Sequence, residues 1–452
     1  MEKDLFDEYE RFYFLGIGGI SMSALAKLVY FRGYTISGYD AARSEQTEEL
    51  SALGIPVKIG DGEDLALQRA EVVVYSDAIG DTDARLVYAK RVGKIVCGRM
   101  ELLSMLCGRF KKVVSVAGSH GKTTCTAMCA HIFKTLNVPF TAHIGGEDAD
   151  FGNFHSCGGE YFVTEACEYK KNMLKMRSSR AILLNIDKDH MECYDDEEDL
   201  VSSFESYCAA ADVAFVCADD GKCIRFGRKY TTFGIDNPHC DYRATALKQT
   251  GEKYSFTVTE YGKPLCRIRL NAAGKCNVYN ALAAFAAVRS FGFDEREIAK
   301  GLENFTAVKR RFERIGQAPS GATVICDYAH HPREIAATVE TAKKICKGDL
   351  YVVFQPHTYS RTRLLMSEFV ALLRKIPRLM IYKTYPAREF YDEAGSAKTL
   401  AKEIGNCLYA ETVKQLNAWL SGSLKSDDLV LFLGAGDIYY AAQYLTREWN
   451  RD

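Results

Sequence analysis

Short apolar runs recur along the chain, separated by stretches in which apolar residues return at helical spacing. That alternation predicts parallel strands joined by crossover helices. In residues 1–107 the run Phe12–Leu15 leads into Gly16-Ile17-Gly18-Gly19-Ile20-Ser21, a helical stretch from Met22 to Phe31, and a second strand ending at Tyr39-Asp40. Val72–Tyr75 and Lys94–Cys97 continue a small parallel sheet. Residues 108–309 open with the strand Val113–Val116, a glycine loop and a helix from Cys125 to Leu136, followed by the runs Tyr161–Thr164 and Ala181–Ile186. Residues 310–452 repeat the alternation, with strands at Thr323–Cys326, Leu350–Phe354 and Leu429–Leu433. The expected fold is α/β in three domains. The first is Rossmann-like, the central one a P-loop ATPase-type domain with a parallel or mixed sheet, and the C-terminal one again Rossmann-like.

Composition narrows the function classes. Of 452 residues 47% are hydrophobic and 26% charged, which excludes a disordered or low-complexity chain. Lys plus Arg number 58 and Asp plus Glu 59, so no global basic field holds nucleic acid or an anionic membrane. No apolar run is long enough for a membrane helix. The start, Met1-Glu2-Lys3-Asp4, is acidic with no signal core behind it, so a cytoplasmic location is expected. The sixteen cysteines are scattered from Cys97 to Cys407 and none forms a C-x-x-C pair. Cys125 and Cys129 fall on one helix face and read as reduced core residues.

With no global charge, an anionic ligand must be held locally. The Gly16, Gly18, Gly19 loop aims at a helix N-terminus, a natural phosphate site. Asp40 stands where a dinucleotide site puts its ribose-binding acid, but that fingerprint wants glycine at position 21, where this chain has Ser21. A pyrophosphate of some nucleotide fits the same physics. The segment Gly118-Ser119-His120-Gly121-Lys122-Thr123-Thr124 has the parts of a P-loop: backbone N–H groups for phosphates, a lysine for the β- and γ-phosphates, a hydroxyl for magnesium. With Val116 in place of the usual first glycine, it is the shorter G-x-x-G-K-T-T form. Glu165 and His190 follow two further strands, where ligands collect in open α/β sheets, and would suit magnesium or manganese beside a triphosphate. The acidic run Asp195–Asp199 reads as a solvated helix start. In the last segment Asp327-Tyr328-Ala329-His330-His331-Pro332, Gln355 to Arg363, Tyr385-Pro386-Ala387-Arg388 and Gly434-Ala435-Gly436-Asp437 load one end of the sheet. No cysteine or third histidine is spaced to complete a zinc site around His330 and His331.

This ordered set resembles the Mur ligase family of ATP-dependent amide-forming enzymes of peptidoglycan synthesis, over essentially the whole chain. The resemblance rests on the first glycine loop, Gly118–Thr124, His143-Ile144-Gly145-Gly146, Glu165-Ala166, Asn185 with Asp189-His190, Asn277 to Ala284, Lys309 to Glu313, Asp327 to Pro332 and the Gln355 to Thr362 loop. It implies that Gly118, Ser119, His120, Gly121, Lys122, Thr123 and Thr124 hold ATP, with Asn277 and Asn280 beside adenine and Asp327 as a nucleotide-contacting acid. It implies Thr123, Glu165 and His190 as metal partners, for two magnesium ions or for manganese. Arg311 is implied near the phosphates, and His357 and Arg361 on the amino-acid and acyl side. Gly16, Gly18, Gly19 and Asp40 are then expected to hold a UDP-sugar instead of NAD.

The implied reaction joins L-alanine to the lactyl carboxylate of UDP-N-acetylmuramate through an acyl phosphate, giving ADP and phosphate, with domain closure excluding water. A monomer or weak homodimer is expected. The chain departs from the family pattern at Cys167, which replaces a carboxylate; at Cys276, where many members have histidine; and at Thr358, which replaces an arginine. The absence of lysine between Lys188 and Lys222 favours the alanine-adding type over later enzymes that carry a carbamylated lysine there. Rival readings are a recycling ligase that attaches a preformed tripeptide, a nicotinamide-dependent dehydrogenase, and a catalytically dead binding module.

Overall fold

A computed structural model of the chain describes residues 5–62 and 64–450. It has two compact units. The first comprises the chain up to Leu247 with Ser255–Leu270 and Val278–Thr306; the second comprises Lys248–Tyr254, Asn271–Asn277 and the chain from Ala307 on.

The first unit holds two sheets. The N-terminal sheet has five parallel strands in the order Val57–Ile59, Thr35–Asp40, Arg11–Leu15, Val72–Tyr75, Ile95–Gly98. Its strands are apolar on both faces because both are covered. Phe12 and Phe14 pack with Leu25, Val29 and Leu103, while Tyr13, Leu15 and Val73 pack with Leu86 and Ala89 on the other side. The central sheet has ten strands, and its parallel middle runs Val213–Cys217, Arg180–Leu183, Lys112–Ala117, Tyr161–Glu165, Phe140–Asp148. An antiparallel strand, Gly152–Ser156, closes one edge, so the sheet is mixed.

Two boundaries differ from the sequence reading, for local reasons. The strand expected to reach Ile186 stops at Leu183. The Leu184 N–H still bonds the Ala117 carbonyl (3.1 Å), but Asn185 then turns its side chain to the glycine loop. The helix expected from Cys125 starts at Lys122, directly after Gly121, whose φ of 89° only glycine adopts cheaply. The acidic run does open a helix, Glu197–Ala209, capped by the Asp196 side chain.

The second unit holds a six-stranded sheet. Glu313–Gln317 lies antiparallel to Thr323–Asp327, and Leu429–Leu433, Leu350–Phe354, Arg378–Tyr382 and Leu408–Ala410 continue in parallel. Ile325, Val352, Phe354 and Leu431 build one face of its core, and Val324, Val353, Val430 and Phe432 the other. All sixteen cysteines are unpaired, with Cys125 and Cys129 fully buried. Among the described residues no helix is long and apolar enough to cross a membrane.

The helix that follows the glycine loop, Lys122–Thr135, is braced by the helix Glu295–Asn304. A Cβ added at Gly301 would lie 2.6 Å from the Ile132 Cα, so the two backbones meet there. Gly301→Ala is expected to cost about 1–3 kcal/mol by overpacking. Urea unfolding reads this, and an unchanged midpoint would show that the helices do not depend on that approach.

Candidate active site

Parallel strands end on one edge, and the candidate residues of the first unit hang from that edge. The strand Lys112–Ala117 runs into Gly118, whose φ is 134°. A Cβ at Gly118 would lie 3.2 Å from the Asn185 backbone, and one at Gly121 would lie 2.6 Å from the Asn280 Oδ1. With φ positive at both, a side chain at either position would be strained as well as crowded. Asn185 fixes the loop in both directions: its Oδ1 accepts the His120 N–H (2.8 Å) and its Nδ2 donates to the His120 carbonyl (3.0 Å). Ser119 Oγ accepts the Asp187 N–H at 2.8 Å, and His120 Nε2 lies 3.1 Å from Asp187 Oδ2. Thr123 and Thr124 are buried in the first turn of the helix.

Lys122 Nζ donates to the carbonyls of Gly118 (2.6 Å) and Ser119 (3.3 Å) and to Glu168 Oε1 (2.8 Å). Burial pushes its ammonium down, but Glu168, with Cys167 and Glu165 beyond it, outweighs burial and holds it above the ordinary lysine value. Glu168 is buried, and its Oε2 has no hydrogen-bond partner. Ligand atoms of Glu168, Asp189 and His190 lie within 4.8 Å of one another. His190 is held in a left-handed conformation (φ 54°), with its ring edge-on to Tyr169. Two carboxylates and an imidazole, one of the carboxylates with an unsatisfied buried oxygen, fit a divalent cation that accepts both ligand types. Of the two carboxylate or imidazole side chains anticipated as metal partners, His190 belongs to this group. Glu165 instead accepts the Gly145 N–H at 2.7 Å, where a Cβ at 145 would collide with its carboxylate.

Glu168 and Asp189 are the residues that the sequence reading passed over. Glu168 follows the strand end by three positions, and only the turn after Glu165 brings it back to Lys122. Its signal in the sequence was a second carboxylate in Glu165-Ala166-Cys167-Glu168.

The first glycine loop joins this edge through side chains. Asp40 Oδ2 accepts the Gly18 N–H (2.8 Å), and a Cβ at Gly18 would lie 2.9 Å from the same oxygen, so Asp40 shapes the loop. Gly16 takes φ 78°, and Gly19 precedes the helix Ile20–Phe31, which begins two residues before the expected Met22. Ser21 Oγ lies 2.9 Å from His143 Nε2 and accepts from Arg99 Nη1 at 3.1 Å. His143 Nε2 also reaches the Ser21 carbonyl (3.3 Å), which can only accept, so Nε2 carries the proton. His143 Nδ1 then accepts from the Thr164 hydroxyl at 2.8 Å, one residue before Glu165. Burial, with Arg99 nearby, pushes the His143 imidazole down to about 4, so it is neutral near pH 7.

In the second unit Asp327 ends its strand and accepts the N–H groups of Phe312 (2.7 Å) and Ala329 (2.8 Å). Burial pushes its carboxyl up to about 6, against the opposing pull of Arg311. The Arg311 guanidinium lies 4.8 Å from the centroid of the Tyr328 ring. His330 and His331 serve the start of the helix Pro332–Ile345: both backbone N–H groups donate to Glu334, and His331 is the cap. His357 stacks on Tyr385 (5.6 Å between centroids), with Arg361 Nη1 3.2 Å from its Nδ1. Asn277 Nδ2 donates to the Ala273 carbonyl at 2.7 Å, and in the first unit Asn280 is buried against the glycine loop.

Two nucleotide-type glycine loops, a lysine-carboxylate-imidazole cluster and a third α/β sheet describe a multidomain phosphoryl-handling enzyme. Family models match in sequence along the chain: the Mur ligase family catalytic domain over residues 11–111, the Mur ligase middle domain over 116–288, and the Mur ligase glutamate ligase domain over 310–436. The chain is 34% identical to the UDP-N-acetylmuramate–L-alanine ligase of Agathobacter rectalis, over 96% of this chain and 97% of that protein. It is 35% identical to the same-named enzyme of Clostridium novyi, over 96% of each. The chain belongs to the Mur ligase family. Among solved structures, UDP-N-acetylmuramate-alanine ligase MurC from Thermotoga maritima superposes with a TM-score of 0.83 at 28% identity, covering 97% of this chain and 99% of that one. A murein peptide ligase from Psychrobacter arcticus shares the fold, with a TM-score of 0.74 at 22% identity, covering 98% and 99%.

His143 gives a pH test. A base whose folded value is depressed stabilises the fold fully above its ordinary value near 6.5 and loses that contribution as pH falls towards about 4. His143→Gln is expected to be less stable than wild type at pH 7, with the gap narrowing by pH 4.5 in urea unfolding. A gap that stays constant would contradict a neutral buried imidazole.

Proposed function

We propose that this chain is an ATP-dependent ligase that joins L-alanine to the lactyl carboxylate of UDP-N-acetylmuramate, yielding ADP and phosphate in peptidoglycan precursor synthesis. The observation that carries the reading is the Lys122, Glu168, Asp189 and His190 cluster beside a glycine loop, in a chain similar to such ligases over nearly its full length.

The chemistry follows from the reactants. A carboxylate is a poor electrophile, so one of its oxygens first attacks the γ-phosphorus and ADP leaves. The amine of alanine then attacks the acyl carbon, losing a proton, and phosphate leaves with the carboxylate oxygen. Gly118 to Thr124 are proposed to wrap the triphosphate, with Lys122 offsetting charge on the transferring group. Magnesium supplies further neutralisation of the β- and γ-phosphates when bound. Thr123 and Glu165 are proposed to hold one such ion, and His190 with Glu168 and Asp189 a second. Gly16, Gly18 and Gly19 are proposed at the UDP diphosphate, with Asp40 holding the loop's shape. Asn277 and Asn280 are assigned to the adenine side, Asp327 to the nucleotide and Arg311 to the phosphates. His357 and Arg361 are assigned to the amino acid and acyl group. The substrates are small, charged and water-soluble, which suits a cytoplasmic enzyme.

Phosphate release with ATP, magnesium and UDP-N-acetylmuramate is expected to require L-alanine, with the tripeptide inert. Release with tripeptide alone would move the protein to recycling, and silence with every amine would refute the assigned substrates. Lys122→Ala is expected to lower kcat by about a hundredfold or more while the protein stays folded. Unchanged turnover would remove Lys122 from the reaction.

A further inference from the structure

The Lys122–Glu168 pair has a use that a static ion pair does not exhaust. The three protons of the Lys122 ammonium already have three acceptors: Gly118 O, Ser119 O and Glu168 Oε1. A lysine so engaged cannot reach a phosphate without giving up a partner. Glu168 is tied down on its main chain, its carbonyl accepting from Tyr194 Oη (2.5 Å) and from the Lys171 N–H (2.9 Å). Its side chain therefore cannot follow the lysine far. Once Lys122 leaves, a buried carboxylate stands without a counter-charge, which is strongly unfavourable. Its second oxygen is already unsatisfied, and the carboxylate belongs to the group with Asp189 and His190. Cys167 supplies no carboxylate here, and Glu165 is engaged by the Gly145 N–H, so Glu168 is the carboxylate of that turn that meets Lys122 directly.

We infer that Glu168 is an exchange ligand: it holds Lys122 while the nucleotide site is empty, and takes a divalent cation when Lys122 turns to the phosphates. Lysine and cation then compete for one carboxylate, while nucleotide and cation bind cooperatively, because the nucleotide removes the lysine and the cation replaces its charge. The inference rests on the proposed function only in taking Lys122 as the residue that reaches a phosphate.

The competition makes an unusual demand: removing a positive charge should strengthen metal binding. In nucleotide-free protein, Mn2+ titrated by electron paramagnetic resonance is expected to bind Lys122→Met at least tenfold more tightly than wild type. Lys122→Met combined with Glu168→Gln is expected to lose that gain. Equal or weaker Mn2+ binding by Lys122→Met, or a gain that survives in the double variant, would overturn the inference. If Lys122→Met does not fold, Glu168→Gln serves alone, with ADP binding measured in chelator. Freed from its carboxylate, Lys122 is expected to raise metal-free ADP affinity about tenfold over wild type, and no change would overturn the inference. These are binding readouts, so failure of every amine in the phosphate assay would refute the substrates and leave them standing.

Discussion

Parallel pairing in the central sheet is the constraint from which the rest follows. Parallel strands end on one edge, and here the register sets Val116 opposite Glu165 and Ala117 opposite Leu183. Three chain segments therefore emerge side by side: the glycine loop, the turn that carries Glu165 and Glu168, and the turn that carries Asn185, Asp189 and His190. Their closeness dictates composition. Gly118, Gly121 and Gly145 occur where a Cβ would press on Asn185, Asn280 or Glu165. The cost of desolvating so many charged groups at one edge is offset by pairing, above all between Lys122 and Glu168.

The N-terminal and central sheets of the first unit share more than an apolar core. Asn153 Nδ2 donates to the Ile20 carbonyl and to Ser23 Oγ, both at 2.7 Å, and its Oδ1 accepts from Lys27 at 2.9 Å. Together with the Arg99, Ser21, His143, Thr164 chain, these bonds fix the start of the helix Ile20–Phe31 against the strands Phe140–Asp148 and Gly152–Ser156. The first glycine loop is thereby held in register with the strand that ends at Glu165. Ser21, which looked like a mere departure from a dinucleotide fingerprint, is the residue through which that register is enforced.

Much of this was legible in the sequence, because strand, glycine loop and helix are local signals. The three-sheet α/β architecture, the Lys122 loop and the strand-end placement of Glu165 and Asp327 followed from apolar runs and the residues after them. What stayed hidden depends on tertiary return. Glu168 meets Lys122 only because the chain doubles back after Tyr161–Glu165, and Asn185 ends its strand early because the glycine loop needs its amide. The left-handed turns at His190, Thr358 and Arg310 carry no glycine to announce them. Asp40 was placed correctly at a strand end, yet only the structure shows that it accepts the Gly18 N–H.

Spending ATP to activate a carboxylate moves an oxygen of that carboxylate onto the released phosphate. UDP-N-acetylmuramate labelled with 18O in its lactyl carboxylate tests it most directly, turned over with unlabelled ATP and L-alanine. An acyl phosphate requires the released phosphate to carry one 18O drawn from that carboxylate. Unlabelled phosphate, formed while amide accumulates, would rule out an acyl phosphate.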